Sequence, residues 1–143
     1  MYKRQLPNLD KAYKVVKESG CDNAMLILDT WHWVRADQPY DILTKEIGEK
    51  VVSIQINDAY ERPYAASVLR DESMHDRLAP GTGAKDTVGF VKMIKEAGVS
   101  PRAVGVEVIS DAIVAKGLKE AASLTYDNTV KVLKEAWPEL LED

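Results

Sequence analysis

The pattern of apolar and polar residues along the chain alternates between a helical period and a strand period. Apolar residues recur every three or four positions in four stretches that are therefore predicted to be helices: Pro7–Ser19, Tyr40–Ile47, Thr87–Ala97 and Asp111–Leu141, the last with a break near Gly117. Shorter apolar runs predict three strands: Ala24–Asp29, Lys50–Asn57 and Ala103–Ile109. In the second strand, Val52, Ile54 and Ile56 alternate with polar residues and are expected to share the apolar face. Strands that alternate with helices favour a parallel sheet with right-handed crossovers.

One connection is much longer than the others. It runs over Asp58–Lys85, and within it Tyr64–Glu72 is predicted to form a short helix. A connection of this length inside a compact domain is more often functional than accidental. We therefore expect it to contribute to a site.

The number of strands limits the fold. Three parallel strands do not close a barrel, and as an open sheet they leave two edges without hydrogen-bond partners. A (β/α)₈ TIM barrel needs about 250 residues, whereas this chain has 143. The predicted fold class is therefore α/β, a partial (β/α)₈ TIM barrel that contains the last three strands with their helices and is not closed.

Each predicted strand ends with a polar residue on the same side of the sheet. These residues are Asp29, Gln55 and Glu107. The carboxyl ends of parallel barrel strands lie side by side at one face, so the three side chains are expected to meet there. Two carboxylates and an amide oxygen are hard ligands that suit a divalent metal ion such as Mn²⁺ or Mg²⁺.

Each polar strand end also has an ordinary structural explanation. Asp29 could cap a turn, Gln55 could satisfy a backbone group, and Glu107 could pair with a lysine. In a non-enzymatic binding module, Asp29 and Glu107 would pair with lysines instead of converging. A polar end on all three strands favours the shared site.

Composition and charge exclude several other classes of protein. The net charge is −4 and the lysines and arginines are scattered, which is unlike a nucleic-acid-binding surface. The two histidines and the negative charge also disfavour a metal-dependent nuclease built on the same barrel. No apolar run approaches the roughly 20 residues of a membrane span, and the polar residues Tyr2–Gln5 are not expected to form a signal peptide. The single cysteine, Cys21, suits a reducing compartment, so a cytoplasmic location is expected.

Four motifs together resemble a known family. DTWHWVR, SIQINDA, the R–x–x–P–G–x–G run at Arg77–Gly83, and GVEV are similar to the C-terminal part of sugar phosphate isomerase/epimerase family proteins, which have a xylose isomerase-like TIM barrel. The resemblance covers nearly all of Leu6–Leu141. The family includes sugar epimerases, inosose dehydratase and 3-dehydroshikimate dehydratase.

The resemblance implies a site with one divalent metal ion. Asp29, Gln55 and Glu107 match three of its four ligands, whereas the fourth, a glutamate on an earlier strand, has no counterpart in this chain. Gln55 stands where the sugar epimerases usually carry histidine. His32 matches a substrate-contacting histidine, and Arg77 matches the arginine before the PGxG turn.

The activity implied is a metal-dependent isomerase or epimerase of a sugar or sugar phosphate. It abstracts a proton next to a carbonyl through a metal-held enediolate. Glu107 is expected to be the base or a metal ligand, with His32 and Arg77 holding the enediolate. The alternatives are a dehydratase of the inosose or 3-dehydroshikimate type, or an inactive truncated fragment of such an enzyme.

Four further residues complete the expected surroundings of the site. Arg35 would bind a phosphate or carboxylate of the substrate, or pair with Asp37. Trp31 would line the sugar pocket or pack over the barrel mouth. Asp58 would orient Gln55 or a lysine, and His75 is expected in an exposed loop. The expected partner is a small sugar or polyol, without nucleic acid or membrane, and a homo-oligomer is left open.

The first five residues are assigned separately from the domain. Met1–Gln5 corresponds to the translation of a transposon end used to fragment DNA for sequencing. We therefore expect residues 1–5 to be non-native and the natural protein to extend upstream. Residues 6–143 are expected to form the C-terminal portion of the barrel domain.

Overall fold

A computed structural model describes residues 8–61 and 69–142 of the chain. The helices, in chain order, are Leu9–Glu18 (α1), Thr30–Arg35 (α2), Lys45–Gly48 (α3), Leu69–His75 (α4), Thr87–Glu96 (α5), Asp111–Val114 (α6) and Leu118–Ala136 (α7). The strands are Leu26–Asp29 (β1), Val51–Ile56 (β2) and Ala103–Val106 (β3). Single 3₁₀ turns occur at Tyr40–Ile42 and Pro138–Leu141. None of the described helices is long and apolar enough to cross a membrane.

The three strands form one parallel sheet in the order β1-β2-β3. Asp29 lies opposite Gln55, and Gln55 lies opposite Gly105. This register brings the carboxyl ends of the three strands to one level. The predicted parallel, unclosed sheet with flanking helices is confirmed.

The core lies between the sheet and the helices. Ile54 and Ile56 of β2 are completely buried, and Phe90, Val91 and Ile94 of α5 belong to the same cluster. The predicted alternation along β2 is therefore confirmed on this side. On the other side, Ile27 of β1 is 58% exposed, because the described part of the chain does not cover that face.

Several predicted boundaries were wrong. No helix was predicted between β1 and Tyr40, but Asp29 caps α2 directly, since its side chain accepts a hydrogen bond from the backbone N–H of His32. The helix predicted over Tyr40–Ile47 is divided into a 3₁₀ turn and α3, where Thr44 starts a new cap.

The later elements differ from the sequence expectation as well. The helix expected over Tyr64–Glu72 falls partly outside the described residues, and α4 extends instead to His75. β3 ends at Val106, so Glu107 lies just beyond the strand. The first turns of α7 are not part of the core, because Leu118 is 89% exposed. Gly117 separates α6 from α7 with a φ of 90°, which confirms the predicted break.

Candidate active site

Asp29 lies where the strand end, the helix start and the polar cluster meet. Its Oδ1 accepts a hydrogen bond from the backbone N–H of His32 at 3.0 Å. Its Oδ2 accepts from Asn57 Nδ2 at 3.0 Å and from Arg77 Nη1 at 3.1 Å. The carboxylate is buried, and these donors fix its orientation.

Arg77 joins two carboxylates that come from different strands. Its Nη1 donates to Asp29 Oδ2 at 3.1 Å and to Glu107 Oε2 at 2.5 Å. The two carboxylates therefore converge on a single nitrogen. The side chain of Arg77 is 3% exposed, whereas that of Glu107 is 35% exposed. The Arg77 guanidinium therefore pairs with both Asp29 and Glu107, and Glu107 remains open to solvent.

The surroundings shift the pKa values of two side chains at this cluster. Burial raises the pKa of Glu107, the adjacent Asp29 carboxylate raises it further, and the Arg77 guanidinium opposes both. Burial lowers the pKa of His32 below its usual value. The Arg77 guanidinium also lowers it, whereas the Glu107 carboxylate raises it. The cluster therefore favours a neutral imidazole beside a carboxyl group that holds its proton more tightly than usual.

The guanidinium of Arg77 is itself held by α4. Its Nε donates to the carbonyl oxygen of Ser73 at 3.0 Å, and its Nη2 donates to Ser73 Oγ at 3.0 Å. The guanidinium carbon lies 5.4 Å from the centroid of the Trp31 ring, a cation–π distance. The long connection thus supplies both the arginine and the helix that orients it.

A second buried ion pair lies next to this cluster. Glu72 of α4 is 1% exposed, and its Oε1 accepts from Arg35 Nε at 3.1 Å, from Arg35 Nη2 and from Trp31 Nε1 at 3.3 Å. Arg35 also donates to the carbonyl oxygen of Tyr60 at 3.0 Å. The structure therefore pairs Arg35 with Glu72, 37 residues away, and not with the nearby Asp37.

Asn57 and Asp58 follow β2 and have different tasks. Asn57 Nδ2 donates to Asp29 and also to the carbonyl oxygen of Glu107 at 3.3 Å, so it links the ends of β1 and β3. Asp58 accepts from the backbone N–H of Gly83 at 2.9 Å and of Lys85 at 3.3 Å. Asp58 thus holds the PGTG turn, and the expectation that it orients Gln55 or a lysine side chain was wrong.

Gln55 and His32 lie at the cluster without being fixed by it. The Gln55 side chain makes no hydrogen bond to the described part of the chain, although its Cα is paired with that of Asp29. The His32 ring packs edge-on against Trp31, with centroids 5.0 Å apart. A cavity of about 90 Å³ is lined by both Asp29 and His32. The His32 side chain therefore borders open space, and the Gln55 amide has no hydrogen-bond partner in the described part of the chain.

His75 lies apart from the cluster. It ends α4 instead of occupying a loop, and its Nδ1 is 3.1 Å from Asp111 Oδ2 on the surface. Its exposure agrees with the sequence prediction, and its secondary structure does not.

The donor set fits part of a divalent metal site. The carboxylates of Asp29 and Glu107 converge, and the amide of the paired Gln55 has no competing hydrogen bond in the described chain. Carboxylate and amide oxygens are ligands that Mg²⁺ and Mn²⁺ accept. Among residues 8–61 and 69–142, however, no three histidine, cysteine, aspartate or glutamate side chains form a group able to hold a metal ion. The carboxylates of Asp29 and Glu107 would therefore fill only part of the coordination sphere of a metal ion.

Fold and cluster together define a class of protein. Parallel strands alternate with helices, and the polar side chains gather at the strands' carboxyl ends, as in (β/α) barrel enzymes. The family model described as "Xylose isomerase-like TIM barrel" matches residues 1–136, and the chain belongs to this family. The resemblance inferred from the motifs is confirmed.

Individual relatives place the chain more closely within the family. An inosose isomerase of Halalkalibacterium halodurans is 30% identical over 125 residues, which are 87% of this chain and 42% of the relative. A 3-dehydroshikimate dehydratase of Pseudomonas aeruginosa is 30% identical over 95 residues, 66% of this chain and 14% of the relative. The chain thus spans about two fifths of the length of the first relative.

A solved structure supports the same fold. The crystal structure of the IOLI protein with a zinc atom matches with a TM-score of 0.76 and 26% identity, over 90% of this chain and 44% of that one. Three strands and their helices therefore superpose on part of a barrel, in agreement with the predicted partial fold.

Proposed function

We propose that this chain carries part of the active site of a divalent-metal-dependent isomerase or epimerase that acts on a sugar or sugar phosphate. The observation behind the proposal is the convergence of Asp29 and Glu107 on Arg77 at the carboxyl ends of parallel strands. The relatives named inosose isomerase give independent support for a polyol-like substrate. The bound zinc in the IOLI protein supports a divalent metal.

Asp29, Gln55 and Glu107 would hold the metal ion. When bound, such an ion acts as a Lewis acid toward a carbonyl and its neighbouring hydroxyl group. Asp29 is already oriented by His32 and Asn57, so its carboxylate would bind with little further ordering. Gln55 would contribute a neutral oxygen, which leaves the net charge of the site less negative than a third carboxylate would.

Glu107 is the side chain best suited to move the proton. It is partly open to solvent, so its carboxylate is accessible to a C–H group of a bound substrate. Arg77 would neutralise the negative charge that develops on the substrate oxygen. His32, kept neutral by burial, would donate or accept a hydrogen bond at a substrate hydroxyl group.

Binding of Mn²⁺ to the 143-residue chain tests the metal site. The loss of the free Mn²⁺ electron paramagnetic resonance signal measures binding without any substrate. We expect saturable binding that weakens at least about tenfold in Asp29→Asn and in Glu107→Gln, because each variant loses a charged ligand. Asparagine still caps a helix, so Asp29→Asn preserves the start of α2. The exposed Asp71→Asn is the matched control.

Two results would contradict the metal site. One is a parent chain that does not take up Mn²⁺ in a saturable manner. The other is an unchanged affinity in folded Asp29→Asn and Glu107→Gln, with folding checked by circular dichroism.

Proton abstraction has its own test. The chain is incubated in D₂O with Mn²⁺ and a ketose such as D-fructose, and deuterium at the carbon beside the carbonyl is followed by NMR. Exchange that depends on Glu107 supports the isomerase reaction. Exchange that is equal with and without the chain would mean that this chain alone is inactive.

A dehydratase is the second candidate, because a 3-dehydroshikimate dehydratase is among the relatives. Dehydration and isomerisation share the first proton transfer and diverge when a β-hydroxyl group leaves. The same incubation with an inosose or with 3-dehydroshikimate distinguishes them, since loss of water gives an unsaturated product that absorbs in the ultraviolet.

A further inference from the structure

Glu72 is a buried acid for which the proposed reaction has no use. It lies on α4 at 1% exposure, while the two carboxylates that converge on Arg77 come from the ends of β1 and β3. No hydrogen bond joins Glu72 to Asp29, Arg77 or Glu107 among the described contacts. Its role must therefore be indirect.

The contacts of Glu72 all lead to α2. A single oxygen, Oε1, accepts from Trp31 Nε1 and twice from Arg35. Trp31 and Arg35 are four residues apart on α2, so both side chains lie on the same face of the helix. Glu72 binds both of them from that side. Glu72 thus fixes the rotation of α2 relative to α4.

Trp31, which Glu72 binds, also contacts two residues of the site. The Trp31 ring lies 5.4 Å from the guanidinium carbon of Arg77 and 5.0 Å from the centroid of His32. Ser73, the next residue after Glu72, binds two nitrogens of Arg77. Consecutive residues of α4 therefore hold the guanidinium from two sides, one directly and one through the indole ring.

Stability alone does not account for this arrangement. A buried ion pair contributes little net free energy, because desolvation offsets the attraction between the charges. The second oxygen of Glu72, Oε2, is buried and has no hydrogen-bond partner in the described structure, which adds a further cost. The Glu72 carboxylate instead fixes the orientation of the Trp31 and Arg35 side chains, which both donate hydrogen bonds to it.

We infer that Glu72 is a positioning residue that orients Trp31, and through its ring the Arg77 guanidinium and the His32 imidazole. The inference deepens the proposed function and rests on it for the chemical task of Arg77 and His32. The positional relation itself depends only on the contacts around Glu72.

Solvent exchange of the Arg77 Nε–H, followed by NMR, tests the inference without metal or substrate. That proton is bonded to the Ser73 carbonyl oxygen, so its exchange reports how firmly the guanidinium is held. In Glu72→Gln we expect exchange to be about tenfold faster, because the charged anchor of Trp31 and Arg35 is lost. Arg77→Lys identifies the signal, and the neighbouring exposed Asp71→Asn should leave the rate unchanged.

The backbone amides of β2 separate positioning from general stabilisation. If Glu72 merely stabilised the fold, Glu72→Gln would accelerate those amides in the same proportion as the Arg77 Nε–H. Such a result overturns the inference, as does an unchanged Arg77 rate in the folded variant.

A second variant covers the case in which Glu72→Gln fails to fold. Trp31→Phe keeps the pair between Glu72 and Arg35, removes the indole N–H that Glu72 binds, and leaves a smaller ring against Arg77. We expect it to accelerate Arg77 Nε–H exchange as well, and an unchanged rate there overturns the inference. Because no metal is present, these outcomes are independent of whether Mn²⁺ binds to Asp29 and Glu107.

Discussion

Arg35 and Arg77 are both buried against carboxylates, yet their surroundings differ in charge and in access. Arg35 is matched by one acid, Glu72, and both side chains are almost inaccessible. Arg77 is shared by Asp29 and Glu107, and Glu107 is open to solvent. The first cluster is neutral and closed, and the second carries an excess negative charge at an open edge.

Under the proposed function, the closed pair has a structural role and the open cluster a chemical one. A balanced closed pair has no capacity for a further cation and no path for a substrate. The Glu107 carboxylate lies beside an opening and is not matched by a cation of its own among the described residues, so it can accept a further cation and be reached by a substrate. Its pKa is also shifted by its neighbours. Burial of an arginine therefore does not by itself indicate function.

The largest effect is expected when the shared cation is removed. Arg77→Met leaves two adjacent carboxylates without their common partner, and we expect a loss of about 3–5 kcal/mol in the free energy of unfolding. Urea denaturation measures it. Arg70→Met, an exposed arginine on α4, is the control and should cost little. A loss in Arg77→Met as small as that of the control would mean that the cluster is not electrostatically coupled.

Removing the closed pair should be a smaller and reversible loss. Arg35→Met strands the Glu72 carboxylate and is expected to cost about 3 kcal/mol, while adding Glu72→Leu should recover most of it. The corresponding double variant of the open cluster, Arg77→Met with Glu107→Leu, leaves Asp29 unpaired and should recover only part. Urea denaturation of all four variants measures how much of the free energy of unfolding each double variant recovers. Equal recovery in both clusters would contradict the difference between them.

The turn after the site arginine offers a steric test of intermediate size. A Cβ at Gly83 would clash with the Asp58 carboxylate and come within 2.5 Å of the Ala59 carbonyl oxygen. Gly83→Ala should therefore cost about 1–3 kcal/mol by thermal or urea unfolding. Gly105→Ala is the control, because its Cβ would meet only the Ile54 carbonyl oxygen at 3.9 Å. Similar losses in both would show that Asp58 adapts.

The smallest effect is expected at an exposed ion pair, the opposite limit from the two buried clusters. Hydrogen bonds from Tyr13 and Lys17 lower the pKa of Glu46. The ionised form is thus favoured by folding, and its contribution is present at neutral pH and lost as the pH falls through the Glu46 pKa. The melting temperature of Glu46→Gln should lie slightly below that of the parent at neutral pH, and the difference should shrink as the pH falls below the usual pKa of a glutamate. A constant difference across that range would contradict the link.

The sequence predicted the scaffold better than its contacts. Period and alternation identified the strands and most helices, and the face pattern of β2 placed Ile54 and Ile56 in the core, because burial is periodic in the sequence. The helix α2 was missed because TWHWVR is rich in aromatic and β-branched residues that have low helix propensity. The signal that could have revealed it is Asp29, a favoured N-cap residue.

The pairing of the charges could not be predicted. Glu72 lies in the polar stretch RDESMH, which is typical of an exposed helix, and nothing local marks it as buried. Its partner Arg35 is 37 residues away, so the contact depends on how the long connection folds back. The same holds for Ser73, whose bonds to Arg77 follow from tertiary packing.

The freedom of Gln55 has a consequence for how such a site can change. An apolar residue in place of Asp29 would remove both the cap of α2 and a partner of Arg77, since one carboxylate serves both. Gln55 is paired with Asp29 at the end of the neighbouring strand. Its side chain makes no hydrogen bond to the described chain, so it neither caps a helix nor anchors Arg77. If Gln55 holds the metal ion as proposed, it is therefore the position at which the ligand can be changed without disturbing Asp29.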